Sequence, residues 1–185
     1  TFSLVWRFNC GTGALAGLSL AVAVAVAEAL EEIGLPGVAL KWPNDLLHAE
    51  RKLGGILIEV SGDPQGASAA VIGIGLNVRL PEKLADEIER PATDLASVAA
   101  SALASATAKP SNTARPSFAA RPSSTTKPAA MKSSAARPAA VLPARTVLLA
   151  GILAHLAAAL ARYEREGFAA FRDGWLARHA HRGRR

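Results

Sequence analysis

Cysteine is almost missing from this 185-residue sequence, with Cys10 its only instance. One cysteine excludes an intrachain disulfide framework and every multi-cysteine zinc site. It fits a reducing compartment, and the expected location is the cytoplasm. No uncharged apolar run reaches the ~18 to 20 residues of a membrane span. The nearest, Ala14 to Ala27, stops at Glu28, so no membrane partner is expected. No basic region precedes an apolar one in the manner of a secretory signal. Acidic residues are missing from 97–145, which carry seven Lys and Arg. Residues 1–96 hold seven basic and twelve acidic side chains, and 146–185 hold seven and three. The net charge of +6 therefore belongs to the middle and the tail. A basic stretch so poor in aromatics solvates the chain and touches polyanions weakly; it carries no base-reading module.

What is present is enough for one domain. Half of the residues are hydrophobic, and a chain of this length buries a core without staples. Phe2 to Phe8 alternates Phe2, Leu4, Trp6 and Phe8 against Ser3, Val5 and Arg7, which predicts a strand. From Ala16 to Ile33 the stripe Leu18, Val22, Val26, Leu30 and Ile33 predicts a helix that Gly34 stops. Val38 to Lys41 reads as a short strand broken by Pro43. The Ile-, Leu- and Val-rich runs Gly55–Val60 and Val71–Val78 flank Ser61-Gly62-Asp63-Pro64-Gln65-Gly66, strong turn chemistry, and predict an antiparallel hairpin. Pro81 opens a short polar helix to about Arg90.

Residues 97–145 differ in kind. Of these 49 residues 35 are Ala, Ser, Thr or Pro, and Lys-Pro or Arg-Pro pairs recur every six residues from Lys109 to Pro128. Such a segment cannot offset its ordering entropy with apolar burial, so it reads as a low-complexity insertion without a packed core. Structure resumes near Thr146 in a helix with apolar Leu149, Ile152, Leu153, Leu156 and Leu160. Gly167 breaks it, a short amphipathic helix follows through Phe168, Phe171 and Trp175, and residues 179–185 form a basic tail. The expected fold class is α/β (α+β): a mixed, mostly antiparallel sheet with helices on one face. The expected domain comprises 1–96 and 146–178, interrupted by 97–145.

Three blocks carry chemistry. Lys41-Trp42-Pro43-Asn44-Asp45 joins a cation, a rigid corner, an amide and a carboxylate at a strand end; it can hold a charged ligand or simply cap a turn. Arg51-Lys52-Leu53-Gly54-Gly55 sets a point charge before two glycines that permit close backbone approach, or forms a solvated basic turn. Gly73-Ile74-Gly75-Leu76-Asn77-Val78 places glycines inside a strand, which marks a bulge or a face on which something packs. Its glycine spacing is too short for a dinucleotide fingerprint, and no Walker A loop is present.

KWPNDLL, RKLGGILIEV and VIGIGLNV, in this order, resemble the catalytic domain of biotin–protein ligases, which biotinylate the carrier subunit of acetyl-CoA carboxylase. FSLVWRF with its following helix, and the late YEREGFAAFRDGW, match the same order. Lipoate ligases share that fold but lack this full string. The resemblance implies a synthetase-like biotin/lipoate ligase fold and a two-step reaction: biotin and Mg-ATP give biotinyl-5′-AMP and pyrophosphate, and a carrier lysine takes the biotinyl group. It implies Lys52, Lys41 and Asp45 as catalytic residues, and Lys52, Gly55, Leu57, Gly73 and Gly75 at biotin. Lys41, Asn44 and Asn77 would lie at the nucleotide, with Trp42 in a packing role. ATP, Mg2+ and biotin are the small molecules and the biotin carboxyl carrier protein the partner; homodimerisation is left open and no metal-ligating residue is assigned. The family's glycine- and arginine-rich loop, its small C-terminal β-barrel and the helix-turn-helix of some members do not occur in this sequence. The expectation is thus a catalytic domain truncated at both ends, with no specific nucleic acid bound. A non-catalytic remnant and a lipoate ligase-type enzyme are the alternatives.

Overall fold

A computed structural model describes residues 1–81, 91–107 and 142–181. Strand β1, Phe2–Phe8, half-buries Phe2, Leu4 and Trp6, buries Phe8 and exposes Ser3, Val5 and Arg7, as the alternation dictates. A 3-10 turn, Thr12–Leu15, leads to helix α1, Leu18–Glu32. Strands β2 (Val38–Lys41), β3 (Asp45–His48), β4 (Arg51–Gly62) and β5 (Ser68–Leu76) complete one five-stranded sheet, ordered β1-β5-β4-β3-β2. All its neighbouring strands are antiparallel, and the predicted β4–β5 hairpin lies near its middle. Among the described residues parallel pairing is confined to two isolated bridges, Leu40 with His179 and Lys52 with Ala92.

Helices α2 (Leu95–Thr107), α3 (Arg145–Glu166) and α4 (Arg172–Arg178) follow. The core joins even-numbered residues of the sheet, Ile56, Ile72 and Ile74 among them, to α1 and α3. Ala21 to Ala27 of α1 are all buried, not a stripe alone, because small alanines let the helix be covered on several sides. Helix α3 buries Leu148, Ile152, Leu156, Leu160 and Tyr163. Leu149 and Leu153, expected inside, remain partly exposed at 37% and 39%. By length and composition α3 is the one helix among the described residues that could cross a membrane; here its buried stripe is part of the core.

Two boundaries move. Helix α2 carries residues 97–107 into the segment expected to lack a packed core, because Leu95, Val98 and Ala99 bury themselves in the domain. The start of the basic tail is likewise anchored: the Ala180 N–H donates to the Leu40 carbonyl at 2.9 Å, so this tail segment pairs with β2. The helix predicted from Pro81 to about Arg90, the remainder of the insertion from 108 and the last four residues fall outside the described residues.

Tyr163 ties α3 to the turn before α1. It is 2% exposed, and its hydroxyl donates to the Ala16 carbonyl at 2.7 Å. Burial, with Cys10 nearby, pushes the phenol up to about 12. Tyr163→Phe should cost about 0.5–1.5 kcal/mol of unfolding free energy, the net contribution of one intramolecular hydrogen bond. Denaturant unfolding measures this, and an unchanged midpoint would mean that the hydrogen bond contributes nothing.

Candidate active site on the open face of the sheet

Among the described residues the helices cover one face of the sheet and leave the other open. Register places Lys41 opposite Asp45, Asp45 opposite Gly55 and Gly55 opposite Gly75, one row of side-chain positions across four strands. The next row sets Leu57 opposite Gly73 and Gly73 opposite Ser3. Three of the four central positions are glycines, so backbone itself forms the floor. Leu57 and Val5 stand at its border, 65% and 64% exposed, an apolar shelf beside a bare trough.

The glycines have two different reasons to be there. A Cβ on Gly54 would meet the Gly75 carbonyl oxygen at 2.3 Å, so the fold itself demands glycine. A Cβ on Gly55, Gly73 or Gly75 would meet nothing closer than 3.7, 3.5 and 3.8 Å. Packing does not require those three. Their effect is to flatten the open face, where a ligand can lie against peptide groups.

Lys52 stands at the end of this trough because of a β-bulge. The β3–β4 register shifts between Leu46 and Leu47, and Leu53 and Gly54 are buried in succession. Strict alternation from Ile56 would turn Lys52 toward the core; the extra residue turns it to the open face. Its ammonium meets the Asp45 carboxylate at 2.5 Å, with side-chain exposures of 43% and 17%. Both groups lie within 3.7 Å of where a Gly55 Cβ would be, directly over the glycine floor. A half-exposed ammonium fixed by a shielded carboxylate keeps donors for a second anion.

Asn44 serves the backbone. Its Nδ2 donates to the Ile56 carbonyl at 2.9 Å and its own carbonyl accepts the Ile56 N–H at 2.9 Å, a clamp that sets the entry to β3. Lys41 is exposed at the end of the same row. Trp42, expected to pack, is instead 67% exposed, since the turn between β2 and β3 lifts it off the sheet. The Trp42–Pro43 peptide bond is cis. Asn77 lies just past the end of β5, where its Nδ2 donates to the Thr93 carbonyl at 3.0 Å and approaches the Lys52 carbonyl at 3.4 Å. A cavity of about 450 Å³ lies elsewhere, between Phe2, Ile74, Leu148 and Ile152. It is lined by Ile74, Leu76, Asn77 and Val78 of the third block but by none of Lys41, Asp45, Lys52, Gly55, Leu57, Gly73 or Gly75, which lie on the open trough.

Sequence reasoning missed Asp94. It is 7% exposed, accepts the Leu80 N–H at 2.6 Å and the Ser97 N–H at 2.7 Å, and so caps α2 while fastening the chain that leaves β5. The signal was legible: an Asp just before an apolar helical run is an N-cap signature. Burial raises its pKa, but those two N–H donors, the Ser97 side chain and the Arg79 charge outweigh burial and hold it below the ordinary value of 3.8. A lowered folded pKa gives stability that is complete above the unfolded value and is lost as pH falls through the folded one. Asp94→Ala should cost about 0.5–2 kcal/mol at pH 7, and the gap should narrow below pH 3.8. Unfolding measured across that range tests it; a gap independent of pH would contradict the charged cap.

Comparison with known proteins bears on what such a trough binds. Residues 1–77 match the Biotin/lipoate A/B protein ligase family. The "Bifunctional ligase/repressor BirA" of Salmonella typhimurium is 44% identical over 78 residues, which cover 42% of this chain and 24% of that protein. The "Biotin--[acetyl-CoA-carboxylase] ligase" of Paracoccus denitrificans is 42% identical over 78 residues, 41% of this chain and 32% of that one. The match thus spans about a quarter to a third of these relatives' length. Among solved structures, the Aquifex aeolicus biotin protein ligase in complex with biotin and ATP superposes with a TM-score of 0.58 at 23% identity, over 97% of this chain and 59% of that one. The Leishmania major enzyme in complex with biotinyl-5-AMP gives 0.55 at 22%, over 92% and 59%. These two likenesses establish the shared fold.

Proposed function

We propose that this chain, which carries a biotin protein ligase domain, activates biotin with ATP and hands the biotinyl group to a lysine of a carrier protein. One observation carries the reading: Gly55, Gly73 and Gly75 form a bare floor that the fold does not need, and the Lys52–Asp45 pair stands at its end. The fused rings and chain of biotin would lie along the floor beside Leu57. Its carboxylate would reach the Lys52 ammonium.

In the first step a biotin carboxylate oxygen attacks the α-phosphorus of ATP. The new O–P bond forms as the bond to pyrophosphate breaks, giving biotinyl-5′-AMP. In the second, a carrier lysine amine attacks the acyl carbonyl, AMP leaves with the C–O electron pair, and the amine loses a proton as the amide forms. Both steps move negative charge, which a preorganised cation favours. Lys52 holds the carboxylate and then the acyl-phosphate oxygens; Asp45 keeps the ammonium in place; Lys41, along the row, meets the phosphates. Asn44 acts through the backbone of Ile56. Magnesium would arrive on the phosphates of ATP as part of the substrate. Among the described residues no group of three or more His, Cys, Asp or Glu could hold it, and Asp45 is engaged by Lys52.

Exchange of labelled pyrophosphate into ATP tests the activation step. Exchange that depends on biotin supports the reading, exchange that depends on lipoate moves the chain to the lipoate branch of the same family, and exchange with neither contradicts it. The carrier protein and a cytoplasmic location follow from the same reading; the biotin carboxyl carrier protein of acetyl-CoA carboxylase is the acceptor to try first.

A further inference from the structure

Strand β5 stops supporting β4 where Lys52 begins: the last paired residues are Gly54 and Leu76. Beyond them a different segment takes over. The Lys52 N–H donates to the Pro91 carbonyl at 2.8 Å, and the Lys52 carbonyl accepts the Thr93 N–H at 2.9 Å. Ala92 and Thr93 are buried, 6% and 8% exposed, which shields the Thr93 N–H from water, while Pro91 is exposed. Asn77 closes the assembly. Its side-chain amide donates to Thr93 and approaches Lys52, while its backbone N–H donates to Leu53 and its carbonyl accepts the Leu95 N–H, each at 2.9 Å. Both peptide groups that orient Lys52 are therefore set by residues 91–93, and Asn77 joins that segment to β4.

We propose that Asn77 is a positioning residue for Lys52: its amide fixes the 91–93 segment and the Lys52 carbonyl, so that the ammonium stays over Gly55 beside Asp45. The proposal rests on the proposed function in one respect, that Lys52 meets the substrate carboxylate. The bulge makes the device necessary. It leaves Leu53 unpaired beside Lys52, which lies beyond the end of the β4–β5 ladder, and a long side chain on loose backbone would sample many places. Asn suits the task because its NH₂ offers two donors to two carbonyls. Asp in its place would present only acceptors to them. Asn77 would thus act at the carboxylate end of the site with no nucleotide bound.

Competitive amine acylation read by mass spectrometry tests this on the whole protein, with Lys41 as the internal standard. In Asn77→Ala and Asn77→Asp the labelling of Lys52 relative to Lys41 should rise several-fold, because the ion pair to Asp45 loosens. Biotin affinity measured calorimetrically without ATP should fall by ~10- to 100-fold, the scale of one lost hydrogen bond to a charged group. An unchanged labelling ratio in a folded variant overturns the proposal, as does a defect confined to ATP affinity, which would make Asn77 a nucleotide contact. Should neither variant fold, amide exchange of the parent decides: Lys52 and Thr93 N–H protected as well as Ile56 support the clamp, and free exchange overturns it. Labelling and exchange need no biotin, so a parent that fails to bind biotin refutes the function and leaves the positioning test intact.

Discussion

Lys52→Ala should lower biotin-dependent adenylate formation by about 10² to 10³, the usual cost of one missing charge at a developing oxyanion. The fold should survive. Lys52 is 43% exposed, and its backbone bonds to Pro91 and Thr93 do not depend on the side chain. Left without its cation, Asp45 then faces the incoming biotin carboxylate, and the repulsion adds to the loss. Lys52→Arg should restore little, since a planar fork does not fit the place of a compact ammonium over Gly55. Pyrophosphate exchange reads both variants, and circular dichroism confirms the fold. A Lys52→Ala protein that exchanges at the parental rate would make Lys52 a solvated turn residue.

The glycines give an opposite pair of results. Gly75→Val should leave stability unchanged or slightly higher, because its Cβ meets only the Thr1 hydroxyl at 3.8 Å and the Gly55 carbonyl at 4.0 Å. Valine also favours a strand, and interior glycine weakens one by roughly 0.5–1 kcal/mol. The valine methyls would nonetheless stand in the trough, and biotin affinity should fall by about 10- to 100-fold, the ~1–3 kcal/mol that extra methyls cost in a filled space. Gly54→Ala should do the reverse. Its Cβ would lie 2.3 Å from a backbone oxygen, so the bulge must deform, at a cost of about 1–3 kcal/mol or more. Thermal unfolding and calorimetric biotin titration of the two variants separate the roles. A Gly75→Val protein that binds biotin normally would remove the floor from the site.

Much of the fold was legible because single faces were buried. Phe2–Phe8 alternates without exception, and β1 is that segment. Strand β3 was not legible: it has only four residues, and the central pair Leu46 and Leu47 are both buried, which leaves no alternation to read. Helix α3 was recognised, but its buried stripe begins at Leu148 and not at Leu149, because apolar residues surround that helix and give periodicity no contrast.

Of the candidate site, the three motif blocks were legible and the aim of their side chains was not. Lys41, Asp45, Gly55, Leu57, Gly73 and Gly75 share one face by register. Lys52 reaches that face only through the bulge, a one-residue irregularity without a mark of its own in the sequence. Asn44 and Asn77 read as ligand groups, since an amide looks the same whether it meets a substrate or a backbone; in the fold their donors go to Ile56 and Thr93. The 91–93 segment joins residues far apart in sequence, and no local pattern announces such pairing.

The claim beneath all of this is that the open, glycine-floored face of the sheet is where biotin lies. Titration of the ¹⁵N-labelled chain with biotin, followed by the backbone amide signals, tests it most directly. The account predicts that the largest shifts fall on Gly55, Leu57, Gly73 and Gly75 together with Lys52, and that the signals of Leu148 and Ile152 stay still. Shifts gathered at the cavity beside Leu148 and Ile152, or none at saturating biotin, would contradict it.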